Sequence, residues 1–298
     1  MQDFESEFIP TEGHIPRVVK GPSVGIDSGS KDCVNLPLAT AVFRFKWLTL
    51  GNPTSCPLIF LHGLFGSKEE GIEFCSSLKD TYYCILIDLP GHHTTPYSEQ
   101  ILADLNAFVR QYEKPVIVGY SMGGRLGLQL QENARALVAI SAHPGLLLER
   151  ERKEKEQEET VWRHKLLTLP LEKFFKEWYA QPLFASLAKR PLLLKTLIEK
   201  RLTLSPRVLH QVMQQLSLVH QPCITTFPCP TLFLYGKEDW KYQQLYTKMD
   251  LPSLCIDGCG HACHLEQPDA CGSAILNWLK RLYANASSLA ECRSLHRH

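Results

Sequence analysis

The sequence of 298 residues has no excess of charge of either sign and no long hydrophobic run. Its 32 Lys and Arg are balanced by 31 Asp and Glu, so no overall field favours nucleic acid or an anionic membrane as a partner. No stretch approaches the roughly 18 consecutive apolar residues that a membrane-spanning helix needs. With 44% hydrophobic residues, the chain can bury enough apolar surface to form a soluble globular fold.

Nucleotide-binding loops are also missing, since neither G-x-x-x-x-G-K-S/T nor G-x-G-x-x-G occurs. We therefore expect no cofactor. Residues 1–20 lack the apolar segment of a signal peptide. Eleven cysteines, an odd number, then favour free thiols in a reducing cytoplasm. Composition leaves the choice between a monomer and a homo-oligomer open.

Strand and helix patterns alternate through the first half of the chain. Alternating Phe43, Phe45 and Trp47 predict a half-buried strand, with the fold starting near Thr40. Further strands are predicted at residues 57–61, 83–89, 115–119, 136–142, 230–235 and 253–256. Helices are predicted at residues 70–79, 98–112, 122–132 and 268–283. Such alternation predicts an α/β fold with a mainly parallel central sheet and helices on both of its faces.

Residues 147–222 interrupt this order because they show helical patterns alone. We expect them to form a helical lid inserted into a core of residues 37–146 and 223–285. Residues 1–36 are predicted to be a flexible arm, and residues 286–298 a C-terminal tail. The lid has 14 Lys and Arg against 9 Asp and Glu, a net charge of +5 that suggests a small anionic substrate.

A serine in a strand–turn–helix context is the strongest chemical signal. Gly119-Tyr120-Ser121-Met122-Gly123 matches G-x-S-x-G directly after a predicted strand and before a helix. The tight turn requires glycines beside the serine, and it places the Ser121 hydroxyl at a helix N-terminus. Developing negative charge is stabilised there. This pattern predicts a nucleophile elbow.

A serine needs a histidine and an acid to become reactive. Asp239 follows the predicted strand at residues 230–235, and His261 precedes the last helix. The chain order Ser, Asp, His is that of the α/β-hydrolase fold. Glu238 and His264 compete for the two roles. We prefer Asp239 and His261 because their distances from the preceding strands fit better.

The remaining candidates surround this triad. An oxyanion hole needs two backbone N–H groups, for which we predict Met122 and Leu64 of the His62-Gly63-Leu64 loop. Arg125 lies one helical turn after Ser121, where it can face the same cleft or the solvent. A zinc site built from Cys255, Cys259, Cys263 and the nearby histidines is the weaker alternative. These cysteines fall on one strand and its exit loop, so we predict no metal.

Longer stretches of the sequence resemble one family of α/β-hydrolase fold across about residues 42–283. That family is the 2-succinyl-6-hydroxy-2,4-cyclohexadiene-1-carboxylate synthases of menaquinone biosynthesis. Among the similar stretches are Gly119 to Arg125 in the core and Trp178 to Leu187 in the lid. The others are Leu61-His62-Gly63, Asp88 to His92, His143 to Leu146, Trp162 and Gly260 to His264.

The resemblance implies a lyase, in which histidine activates the serine as a base that removes a ring proton. Pyruvate then leaves from an enolpyruvyl ether. The resemblance also implies that Tyr120, Arg125 and Trp178 contact the substrate. A lid arginine of the family falls on Lys155, with Arg152 nearby, and another falls near residues 199–201, where we choose Arg201. His93-Thr94 departs from the glycine that usually follows in this family.

A serine carboxylesterase of the same fold, for instance one acting on an acyl-carrier methyl ester, is the alternative function. The two functions differ in the charge around the pocket. A lyase for a polycarboxylate requires Arg125 and lid cations to face inward, whereas an esterase can have an apolar acyl pocket. A binding protein without activity is disfavoured because every member of a triad is present.

Overall fold

The computed structural model describes residues 45–295. The strands in this range are β1 (Lys46–Leu50), β2 (Cys56–Leu61), β3 (Tyr82–Asp88), β4 (Val116–Tyr120), β5 (Ala136–Ile140), β6 (Thr231–Gly236) and β7 (Ser253–Ile256). The helices are α1 (Ile72–Ser76), α2 (Ile101–Val109), α3 (Met122–Leu130), α4 (Glu149–Thr168), α5 (Leu171–Tyr179), α6 (Ala185–Ala188), α7 (Pro191–Arg201), α8 (Pro206–Gln215), α9 (Trp240–Lys248), α10 (Cys263–Glu266) and α11 (Pro268–Leu295). No helix in this range is long and apolar enough to cross a membrane.

The seven strands form one sheet in the order β1-β3-β2-β4-β5-β6-β7. β1 pairs antiparallel with β3, and all the other neighbouring strands are parallel. Alternate residues of each strand point to opposite faces. Leu58 and Phe60 pack on the face covered by α1, α10 and α11, whereas Ile59 and Leu61 pack towards α2, α3 and α9. The predicted α/β-hydrolase fold, with helices on both faces of a mainly parallel sheet, is confirmed.

The chain between β5 and β6 contains the five helices α4–α8, and we keep the name lid for this insertion. The lid has an apolar core of its own, to which Phe174, Phe175, Leu197 and Leu209 belong. Phe65, from the loop after β2, is buried in the same cluster. A core residue of the sheet domain therefore anchors the lid above the carboxyl ends of the strands.

Six of the seven predicted strands agree with the structure to within two residues, but the first is shifted, because Phe45 precedes β1 and the strand continues to Leu50. Three helices also differ. The one predicted at residues 98–112 is α2, which is three residues shorter at each end. The predicted helix at residues 70–79 is a 3-10 segment (Lys68–Gly71) followed by the short α1. The last helix continues beyond Tyr283 to Leu295, because no proline or glycine stops it, and so it enters the predicted tail. Phe43, the predicted start near Thr40 and the arm at residues 1–36 lie outside the described residues.

Candidate active site

Ser121 lies in a strained turn between β4 and α3. Its φ of 49° and ψ of −111° are values that a residue with a side chain rarely adopts. The two flanking positions must be glycine, because neither leaves room for a Cβ atom. A Cβ on Gly119 would lie 2.4 Å from the Gly123 carbonyl oxygen, and one on Gly123 would lie 2.1 Å from that of Leu61. The local sequence therefore produces the predicted elbow, with the serine at the start of a helix.

Asp239 and His261 form a buried pair beside this elbow. Their exposed fractions are 3% and 2%, and His261 Nδ1 lies 2.8 Å from Asp239 Oδ2. The second carboxylate oxygen of Asp239 accepts a hydrogen bond from the Tyr242 N–H at the start of α9. With Nδ1–H donating to the carboxylate, the neutral imidazole has its lone pair on Nε2, the atom that must accept the serine proton.

Three aromatic rings surround the His261 imidazole. The ring centroids of Tyr242, Tyr120 and Phe184 lie 5.1, 5.4 and 5.6 Å from it. Tyr120 and Tyr242 belong to the sheet domain, whereas Phe184 belongs to the lid. The imidazole is thus held by one carboxylate and three rings, so its orientation depends on both parts of the molecule.

Glu238 and His264, the competing candidates, occupy different environments. Glu238 lines the cavity but is exposed, and its carboxylate pairs with Lys189 of the lid at 2.7 Å. His264 is fully buried among aromatic rings, 4.2 Å from the Tyr120 ring centroid, and burial lowers its pKa to about 3. The geometry supports Asp239 and His261 over both of them.

The loop that carries Leu64 is held by two neutral histidines. His62 Nε2 accepts a hydrogen bond from the Leu89 N–H at 2.9 Å, and His92 Nε2 accepts one from the Phe65 N–H at 3.2 Å. Burial lowers the pKa of His62 to about 3 and that of His92 well below its ordinary value. Both rings therefore act as fixed hydrogen-bond acceptors. Their role could not be predicted from the sequence, because each hydrogen-bond partner lies 27 positions away in the chain.

All ten candidate site residues line a single cavity of about 560 Å³ between the sheet edge and the lid. They are Leu64, Tyr120, Ser121, Met122, Arg125, Lys155, Trp178, Arg201, Asp239 and His261. Convergence at this edge is expected, because the carboxyl ends of parallel strands meet there. Trp178 contributes an indole that packs edge-on against Phe65 and Trp162, with centroids 5.1 and 5.0 Å away.

The four cations of the cavity differ in their partners. Arg201 is buried in an ion pair with Glu70 at 2.7 Å, and Lys155 pairs with Glu158 at 3.1 Å. Among residues 45–284, whose side chains the structure describes, no carboxylate lies within ion-pair distance of Arg125 or Lys241.

Arg125 donates to two neutral oxygens, the Leu216 carbonyl at 2.9 Å and the Gln221 side chain at 3.3 Å. Lys241 was missed by sequence analysis, although its position two residues after Asp239, in the first turn of α9, was a usable signal. Desolvation lowers the pKa of the Lys241 ammonium, and the charge of Lys155 lowers it further. Each of these two cations can bind an anionic group of a substrate.

The face that the lid turns to the cavity is more acidic than its net charge suggests. Along α4, Lys155 is accompanied there by Glu151, Glu154, Glu158 and Glu159. Eight of the 14 basic residues of the lid lie on exposed surfaces: Arg150, Lys153, Lys173, Lys176, Lys189, Lys195, Lys200 and Arg207. The lid charge of +5 is therefore not evidence for an anionic substrate, and that expectation depends on Arg125 and Lys241.

Two other sequence candidates lie away from the cavity wall. Both terminal nitrogens of Arg152 donate to backbone carbonyls, of Val219 at 2.6 Å and Leu146 at 2.7 Å. Of the cysteines considered for zinc, Cys255 is exposed, whereas Cys259 and Cys263 are buried in the core. In the part of the chain described here, no three His, Cys, Asp or Glu side chains are arranged to hold a metal ion.

Comparison with known proteins places this site in context. The sequence model of the alpha/beta hydrolase family matches residues 58–274. The 2-succinyl-6-hydroxy-2,4-cyclohexadiene-1-carboxylate synthase of Enterobacter sp. (strain 638) is 30% identical over 246 residues, covering 77% of this chain and 94% of that enzyme. The enzyme of the same name from Citrobacter koseri is 31% identical over 235 residues, covering 73% and 91%. Among solved structures, MenH from S. aureus is similar with a TM-score of 0.73 and 27% identity, covering 79% of this chain and 98% of that one.

Proposed function

Because the chain belongs to the alpha/beta hydrolase family and, within it, to the 2-succinyl-6-hydroxy-2,4-cyclohexadiene-1-carboxylate synthases, we propose that it is a lyase of menaquinone biosynthesis. Its substrate in this proposal is 2-succinyl-5-enolpyruvyl-6-hydroxy-3-cyclohexene-1-carboxylate, from which it eliminates pyruvate. The cytoplasm is the proposed compartment, which the nine described cysteines support because all are free thiols.

One observation supports this function beyond the family membership. A single cavity joins the Ser121 elbow and the Asp239–His261 pair to the guanidinium of Arg125, which has no acidic partner in the described chain. Ester hydrolysis requires the elbow and the pair but no such cation. A substrate with several carboxylates does require it, and the arginine fork is well suited to a carboxylate.

The first step is a proton transfer from carbon. The ring C2–H lies next to the succinyl ketone, so its removal leaves an enolate that the carbonyl oxygen stabilises. In the proposal His261 Nε2 accepts the Ser121 proton while Ser121 Oγ takes the C2 proton. Asp239 keeps the imidazole in the required tautomer and stabilises the imidazolium. The Leu64 and Met122 N–H groups would donate to the enolate oxygen.

The second step expels the leaving group. The electron pair from C2–H forms the C2=C3 bond, the C3=C4 bond shifts to C4=C5, and the C5–O bond breaks. Pyruvate departs as its enolate and takes up a proton, which the His261 imidazolium can return. Arg125 and Lys241 would bind carboxylates of the substrate and fix the ring over Ser121.

Pyruvate release tests this proposal directly. The purified chain is given the proposed substrate with lactate dehydrogenase and NADH, beside a panel of neutral p-nitrophenyl esters. We expect pyruvate in one-to-one ratio with the cyclohexadiene product, and ester turnover at least about 10³-fold lower in kcat/KM. Efficient hydrolysis of esters without pyruvate release would instead identify a serine carboxylesterase.

A further inference from the structure

The loop that carries His261 is connected to the lid through one buried carboxylate. Glu266, at the end of α10, is 3% exposed. Its carboxylate accepts a hydrogen bond from the Gly260 N–H at 3.2 Å and another from the Ser186 hydroxyl at 3.0 Å. Gly260 directly precedes His261, and Ser186 belongs to α6 of the lid. One carboxylate therefore bonds at the same time to the histidine loop and to the lid.

The contact between Ser186 and this loop is close. A Cβ added to Gly260 would lie 2.1 Å from Ser186 Oγ, so the lid helix touches the backbone next to the histidine. Arg190, four residues after Ser186, donates from Nη2 to the Gly258 carbonyl at 2.9 Å. Its Nε lies 3.7 Å from the Glu266 carboxylate. The lid thus binds the histidine loop at both Gly258 and Gly260.

The same lid segment reaches the imidazole itself. Phe184 meets the His261 ring edge-on, at 5.6 Å and an interplanar angle of 79°. The other contacts of the ring, with Asp239, Tyr120 and Tyr242, come from the sheet domain. Undocking of the lid would therefore remove one ring contact of His261, the Ser186 hydrogen bond that holds Glu266 and the Arg190 hydrogen bond to the Gly258 carbonyl.

We propose that Ser186 and Glu266 are positioning residues that hold His261 in line with Ser121 when the lid is docked. Ser186 acts through Glu266, and Glu266 acts through the Gly260 N–H. The basicity available at Ser121 is in this way coupled to the position of the lid. The inference rests on the assignment of His261, in the proposed function, as the group that accepts the Ser121 proton, but not on the identity of the substrate.

Loss of the Ser186 hydroxyl has a defined physical consequence. It leaves one buried oxygen of Glu266 without its donor, which is unfavourable enough to make the carboxylate reorient. The Gly260 anchor then shifts and moves His261 with it. A displacement of about 1 Å in a catalytic group can cost on the order of 10²-fold in rate.

Labelling of Ser121 by a fluorophosphonate measures this alignment without the natural substrate. The reagent phosphonylates Oγ with loss of fluoride, and His261 must accept the serine proton whatever reaction the enzyme catalyses. We expect Ser186→Ala to lower the second-order rate constant of labelling at least about 10-fold. The rate constant is measured by intact-mass spectrometry of the full chain. In pyruvate release, the loss should fall on kcat and leave KM within about twofold.

Ser217→Ala is the matched control. Ser217 is also a buried lid serine, 4% exposed against 6% for Ser186, and its hydroxyl also bonds to a glutamate, Glu159. The partners of its hydroxyl, Glu159 and the Val219 N–H, both belong to the lid and not to the histidine loop. We expect this variant to keep the labelling rate within about twofold of wild type.

Substitution of Glu266 separates positioning from folding. In Glu266→Gln the amide carbonyl can still accept from Gly260, and its NH₂ can donate to Ser186 Oγ. The labelling rate of this variant should stay within about threefold of wild type, whereas Glu266→Leu should lose at least as much of that rate as Ser186→Ala.

Equal labelling of Ser186→Ala, Ser217→Ala and wild type would overturn the proposal. A wild type that is not labelled would contradict the triad assignment itself, whereas normal labelling without pyruvate release would contradict only the substrate.

Discussion

In the structure, the guanidinium of Arg125 donates to two neutral oxygens, of Leu216 and Gln221. If it also binds a substrate carboxylate, Arg125→Ala removes a charge-assisted fork worth about 1.5–3 kcal/mol. We expect kcat/KM for pyruvate release to fall about 10–150-fold. Arg125→Lys should recover part of the loss, because a point charge cannot reproduce the planar fork.

A small neutral ester is the control for this prediction. It offers no carboxylate, so any loss on this substrate measures the contribution of Arg125 to lid docking. Kinetics of both variants on both substrates separate the two roles. Equal losses on the polyanion and on the neutral ester would show that Arg125 is structural.

The identity of the triad acid can be tested with neighbouring residues. Asp239→Asn should keep the fold but lower kcat by roughly 10³-fold or more, because the amide favours the wrong imidazole tautomer. Glu238→Gln, which removes an exposed carboxylate paired with Lys189, should change kcat less than about twofold. Steady-state kinetics of the two variants identify the triad acid. A large loss of kcat in Glu238→Gln with little loss in Asp239→Asn would shift the assignment by one residue.

At the scale of secondary structure elements, Arg152 joins the two ends of the lid through the Leu146 and Val219 carbonyls. Arg152→Ala removes both hydrogen bonds of a charged donor, which we expect to favour local opening of the lid by about 1.5–3 kcal/mol. Cleavage of the lid by thermolysin should become at least about 10-fold faster, as followed by mass spectrometry.

Arg150→Ala is the control on the same helix. The Arg150 side chain is 79% exposed, and its ion pair with Glu154 at 3.6 Å is of the kind that contributes little. Its cleavage rate should match that of wild type. If both variants were cleaved at the wild-type rate, the ends of the lid would be held by something other than Arg152.

Local patterns were sufficient to predict most elements and the elbow. Alternating or continuous apolar residues identified β2 to β7, and G-x-S-x-G placed Ser121 between β4 and α3. Because strand ends converge, the triad and the two oxyanion-hole residues could be predicted to share one cleft. Tyr120, Lys155, Trp178 and Arg201 were assigned to it only by the family resemblance. Long-range pairing could not be predicted. Arg201 meets Glu70 across 131 positions, and no periodicity in the sequence indicates that contact. The acidic cavity face of α4 was missed because net charge ignores which side of a helix faces the cavity.

For the molecule as a whole, three buried histidines and the half-buried His143 make stability depend on pH. Burial lowers the pKa of His62, His143 and His264 to about 3, and that of His92 well below its ordinary value. The folded state keeps these rings neutral, whereas the unfolded chain protonates them near pH 6.5. Stability is therefore complete above about pH 6.5 and is lost as the pH falls from there towards 3.

Urea unfolding at pH 7.5, 6.5 and 5.5 measures this dependence. We expect the free energy of unfolding to fall between pH 6.5 and 5.5 by on the order of 1 kcal/mol per histidine. His264→Phe should reduce the slope, because it removes a histidine whose two ring nitrogens have no hydrogen-bond partner in the described chain. A free energy that stayed constant over this range would show that the four rings take up protons in the folded state as readily as in the unfolded chain, which would contradict their lowered pKa values.

The central claim is that Ser121, activated by His261, is the base for pyruvate elimination. The turnover number for pyruvate release by Ser121→Ala, relative to wild type, tests this claim most directly. We predict a fall of at least about 10³-fold, as removal of a member of a catalytic triad produces, with an unchanged near-UV circular dichroism spectrum. A folded Ser121→Ala enzyme that released pyruvate at more than about a tenth of the wild-type rate would contradict the account, because the barrier would have risen by less than about 1.4 kcal/mol.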